Sequence, residues 1–86
     1  MVLFSKEQLL SISDYLEAKY VNKEVTSVEI VITLLAMKES GKLNEDGIAF
    51  VLLRVFKTSE KAHAALDEAS LFVSDDFIKE VLANLK

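Results

Sequence analysis

The chain has 86 residues, no cysteine and a formal net charge of −4, and 51% of its residues are apolar. A chain this short makes one domain that hides only about 60–65% of the surface exposed when it is unfolded, so it needs a dense core, and the apolar content can supply one. The missing cysteine excludes disulfides, thiolate metal sites and a thiol nucleophile, and the acidic balance argues against a general nucleic-acid binder, which needs clustered Lys and Arg.

The first residues show no basic region followed by a long apolar run. The longest unbroken apolar stretch, Ile48 to Leu53, is far shorter than a membrane span. A soluble, cytoplasmic protein is therefore expected. There is no proline, and Gly41 and Gly47 are the two glycines. With no linker, repeat or low-complexity run, residues 1–86 read as one helical domain.

In chain order, the first helix is predicted over 6–20. Ser5 and Gln8 have capping-box spacing, and Phe4 and Leu9 flank them as a hydrophobic staple. Leu9, Ile12, Leu16 and Tyr20 form its apolar stripe. The second helix is predicted over 27–40. Thr26 and Glu29 repeat the box, Val25 and Ile30 repeat the staple, and Gly41 can take the left-handed conformation past its end.

The third helix is predicted over 45–57, capped by Asn44 with Leu43 and Ile48 as staple. The fourth, over 59–70, has a stripe of Ala62, Ala65, Leu66 and Ala69. Its start lies so close to the third that one bent helix is the alternative. The fifth, over 75–85, is capped by Ser74. Asp75 and Asp76 in its first turn suit the positive end of the helix dipole. The expected fold is all-α, a compact bundle of four to five short helices. The rival is an α+β fold, because Val28 to Thr33 is rich in β-branched residues and Ile48 to Leu53 reads as a buried strand.

The second and third helices are apolar nearly all round. Such helices are normally enclosed on several sides. Either both are central, or part of their surface is an interface. The interface reading selects Ile30, Leu34, Met37, Phe50, Val51 and Arg54. It implies that glutamate at Phe50 or Val51 breaks association and leaves the fold intact. Charge gives a second candidate. Residues 1–57 hold eight acids and seven bases, a balance of −1, and residues 58–86 hold six and three, a balance of −3. Asp67, Glu68, Asp75 and Asp76 form this acidic surface, which suits a basic partner or is simply solvated.

Enzyme chemistry is not legible. His63 is the only histidine and lies between Ala62 and Ala64, so no zinc set or nucleophile–base pair forms in the sequence. The glycines make no phosphate loop, and the calcium-loop pattern fails at its first ligand position. Ala69-Ser70-Leu71 differs from a carrier protein's Asp-Ser-Leu motif and ends a helix. A helix-turn-helix from the second and third helices would open its recognition helix with Glu45 and Asp46, the wrong sign for phosphate. No catalytic residue, cofactor, metal or small-molecule substrate is expected.

The segment Ser11-Ile12-Ser13-Asp14-Tyr15-Leu16-Glu17-Ala18 resembles the start of the first helix in colicin-nuclease immunity proteins. That resemblance implies a four-helix, acidic, cytoplasmic domain that binds and blocks a basic toxin. It is confined to this segment, since the family's later tyrosine pair and its Pro/Asp/Gly-rich stretch are absent.

The function expected is that of a small acidic protein-binding regulator, inhibitor or adaptor, of the kind that phages or plasmids use to modulate a host factor. Its partner is another protein or a second copy. The alternatives are a toxin-neutralising immunity or antitoxin protein using the acidic C-terminal third, and a helix-turn-helix DNA binder.

Overall fold

A computed structural model describes residues 2–85. Five helices follow one another: α1 (Lys6–Val21), α2 (Ser27–Glu39), α3 (Glu45–Phe56), α4 (Ser59–Ala69) and α5 (Asp75–Asn84). No strand occurs among the described residues. The α+β alternative therefore fails, and the cap signals explain why. Thr26 and Asn44 fix helix starts just before the β-branched run at 28–33 and the apolar run at 48–53, and tertiary enclosure then outweighs strand propensity.

All four predicted caps are present. The Ser5 hydroxyl accepts from the Gln8 amide, and the Gln8 side chain accepts from the Ser5 amide. Thr26 and Glu29 do the same. Asn44 accepts from the Gly47 amide, and Ser74 from the Phe77 amide. A fifth cap, Thr58, accepts from the Lys61 amide at 3.1 Å. It separates α3 from α4, because Lys57 turns the chain with a φ of 75°. The region from 45 to 70 is thus two helices.

The element at the centre is α3, which packs against α1, α4 and α5, while α2 packs on α4. The buried positions of α3 are Gly47, Ile48, Ala49, Val51, Leu52, Val55 and Phe56. At 100° per residue they cover an arc of about 200°. The buried positions of α2 are Ile30, Val31 and Leu34, an arc of only about 100°. One of the two apolar helices is therefore enclosed and the other is covered on one side.

The small residues of α4, Ala62, Ala65 and Ala69, let the helices approach closely, and Leu66 is buried beside them. Gly47 makes room for the Leu43 side chain just ahead of α3. A Cβ there would stand 3.1 Å from Leu43 Cδ2 and 3.7 Å from Leu9 Cδ2. Ser13 is the one buried polar residue among those described, and its hydroxyl donates to the Leu9 carbonyl at 2.6 Å. No buried side-chain polar atom among the described residues lacks a partner. The Cα radius of gyration, 11.6 Å, matches the value of about 12 Å expected for a compact chain of this length.

Candidate interaction surface

The interface residues selected from the sequence separate into two sets. Ile30 is 1% exposed, and Leu34 and Val51 are 0%. These three are core residues of the monomer, and no partner reaches them while the fold is intact. The selection misplaced them because an apolar stretch looks the same whether neighbouring helices or another protein cover it. The burial of Val51 argues against the expectation that Val51→Glu spares the fold.

Met37 and Phe50 are half-buried and Arg54 is exposed. Arg54 already has a partner. Its guanidinium donates to Asp14 of α1 at 3.0 Å and lies 5.9 Å from the Phe50 ring centre. Beside it, Lys57 pairs with Glu17. The C-terminal end of α3 is thus tied to α1 by Arg54 and Lys57.

The exposed apolar surface lies elsewhere. Leu71 is 86% exposed and Phe72 is 67% exposed. Both sit on the turn between α4 and α5. That turn is short and ordered: the Phe72 and Val73 amides donate to the Ala69 carbonyl at 2.8 and 3.1 Å. Ala69 and Val73 point inward, buried and half-buried respectively, so Leu71 and Phe72 between them project outward.

The predicted acidic residues surround this knob in sequence. Asp67 and Glu68 end α4, and Asp75 and Asp76 begin α5; all four are exposed. The segment 67–76 carries these four acids and no base. Glu68 accepts from the Ser27 hydroxyl at 2.9 Å, which ties α4 to the start of α2. Neither Asp75 nor Asp76 forms an ion pair among the described residues. Sequence reasoning found the acids and missed the knob. The signal was legible: two large apolar residues fall between a helix's last stripe position, Ala69, and the next cap, Ser74.

Two of the open grooves on the surface combine apolar lining with charged rims. The first, about 410 Å³, runs between α1, α3 and α4 over Tyr20, Phe56 and Ala65. The Tyr20 ring meets the Phe56 ring edge-on at 5.0 Å in its wall. Its charges are largely matched within the monomer, with Lys57 against Glu17 and Glu68 bonded to Ser27.

The second groove, about 370 Å³, lies where the N-terminal arm crosses the starts of α1 and α3. The Phe4 amide donates to the Lys42 carbonyl at 2.9 Å and pins the arm there. Leu3, Phe4, Leu9, Leu43 and Phe50 make its apolar lining, and Lys6, Lys42 and Asp46 its charged rim.

Among the described residues, no group of three or more His, Asp or Glu residues is placed to hold a metal. His63 is exposed on α4. No helix is long and apolar enough to cross a membrane. Comparison with protein-family models, with curated proteins and with solved structures finds no match to this chain.

Proposed function

We propose that this protein acts by binding another protein, and that the α4–α5 turn is its docking element. The observation that carries this reading is the exposure of Leu71 and Phe72 on an ordered turn. Burying a large apolar side chain is worth about 1.5–3 kcal/mol, so the pair leaves roughly 3–6 kcal/mol of stabilisation to be gained by contact. Phe at the centre of such a patch is a familiar binding anchor, and acids round it contribute orientation and association rate more than affinity.

The partner this surface fits has an apolar pocket edged by Lys or Arg. The protein's role is that of a small regulator, inhibitor or adaptor in the cytoplasm. A second reading is neutralisation of a basic toxin, favoured by the same segment: four acids and no base between 67 and 76.

Affinity capture from the native cell with wild type and with the Leu71→Ser, Phe72→Ser double variant tests the proposal. The expected result is a protein held by wild type and lost by the variant, with retention weakening as salt rises. Identical captured sets from both proteins, with the variant still folded by circular dichroism, would sink it. A nuclease or other toxin among the lost proteins selects the second reading.

A further inference from the structure

We infer that the Lys6–Lys42 groove receives the Leu71–Phe72 knob of a second copy of this chain. The inference rests on reading the turn as a docking element, and it names an occupant for a separate site.

The groove has an apolar floor and a rim whose charge is not matched within the monomer. Neither Lys6 nor Lys42 forms an ion pair among the described residues. With Asp46, the groove's charged lining sums to +1, that is, two bases less one acid. The Lys42 ammonium lies 5.9 Å from the Phe4 ring centre, over the aromatic wall. An apolar floor under two lysines recognises an apolar segment flanked by carboxylates. The turn from 67 to 76 is such a segment: Leu71 and Phe72 between two acid pairs, at a local charge of −4. In the monomer Leu71 and Phe72 stay exposed, so the knob does not fill the groove of its own chain.

The first groove is a poorer receiver. Glu17 and Glu68 stand on its rim beside Lys57 and Lys61, so an acidic knob would meet carboxylates there. The net charge of −4 on each copy opposes approach at long range. At physiological salt the Debye length is about 8 Å, which screens the overall repulsion and leaves the close Lys–carboxylate pairs effective. A knob and a groove at different places on one surface make a head-to-tail contact. It grows into rings or filaments unless two-fold symmetry closes it on a dimer.

Sedimentation velocity on the full chain, from micromolar to high micromolar at physiological salt, tests this. Wild type is expected to gain mass with concentration. The knob variant Leu71→Glu, Phe72→Glu and the groove variant Lys6→Glu, Lys42→Glu are each expected to stay monomeric while remaining folded by circular dichroism. Mixed in equal amounts, they should associate again. Each retains one working half of the contact, so growth stops at one pair.

A wild type that is monomeric throughout, a groove variant that associates like wild type, or a mixture that stays monomeric overturns the inference. If the groove instead takes an unrelated acidic peptide or an anionic amphiphile while wild type stays monomeric, the inference is overturned as well. The two proposals fail separately. Partner capture lost by the knob variant and kept by the groove variant supports docking even if wild type never self-associates. Self-association without knob-dependent capture leaves the contact between copies and removes the foreign partner.

Discussion

Phe56 and Phe72 each lie beside a helix C-terminus, yet Phe56 is 4% exposed and Phe72 is 67% exposed. The difference is one of enclosure. Three helices surround α3, and the Phe56 ring ends against Tyr20 at the edge of that enclosure. The α4–α5 turn buries Ala69 and half-buries Val73 but leaves Leu71 and Phe72 exposed. Its backbone bonds to Ala69 close the turn. Hydrophobicity along the chain therefore does not mark which apolar residues stay exposed. The informative quantity is how many elements pack round a segment, and by that measure most of the apolar surface of α3 is enclosed while a two-residue turn is exposed.

Charge substitutions break this comparison most sharply. Glutamate in place of Val51 puts an unpaired carboxylate at a site with no exposure. The penalty is enough to unfold a small domain, whose whole stability is on the order of 5–10 kcal/mol. Glutamate in place of Leu71 should leave the far-UV circular dichroism and the melting temperature close to wild type. A folded Val51→Glu protein would show that α3 is not enclosed. An unfolded Leu71→Glu protein would show that the knob is part of the core.

Truncation gives the same contrast on a finer scale. Leu52 is 0% exposed, and its replacement by alanine should cost about 2–5 kcal/mol through lost burial and a cavity. Leu71→Ala should stay within about 0.5 kcal/mol of wild type, as surface changes do. Urea titrations of both variants measure the two values. Near-equal losses would end the distinction between the regions.

The residues themselves explain how much could be read in advance. Ser5, Thr26, Asn44 and Ser74 announce four helix starts through local chemistry, which needs no knowledge of the fold, and all four caps form. The alanine stripe of α4 was legible for the same reason: its spacing alone puts Ala62, Ala65 and Ala69 on one face. Which of α2 and α3 is central depends on contacts between distant segments. No periodicity in α2 says that Ile32 will be 41% exposed while Val31 beside it is 1% exposed. The positive φ of Lys57, which splits α3 from α4, was also hidden, because that conformation is usually signalled by glycine. The acids of the candidate site were visible as a charge count. Its apolar knob, Leu71 and Phe72, is too short to stand out beside the apolar run at 48–53.

The smallest expected effect separates the acids that serve the fold from those that face outward. Both α3 and α5 open with an acidic pair, Glu45 with Asp46 and Asp75 with Asp76. Glu45 is tied into the monomer: its carboxylate lies 3.4 Å from the Lys38 ammonium of α2. A hydrogen bond from its own backbone amide at the helix start, and then Lys38, hold its carboxyl below the ordinary value of 4.5. The folded state thus binds this proton less readily than the unfolded chain. The resulting stability is fully present above pH 4.5 and is lost as pH falls through the lower folded value. Glu45→Gln should therefore be less stable than wild type by about 0.3–1 kcal/mol near neutral pH. The gap should close in acid below the folded value. Thermal melts of both proteins across that range measure it. A gap that does not change with pH would mean that the carboxylate charge is not its source. Asp75 and Asp76 have no ion pair among the described residues to hold α5 to a neighbour. Asp75→Asn should accordingly weaken the salt-dependent part of partner binding more than it changes the melt.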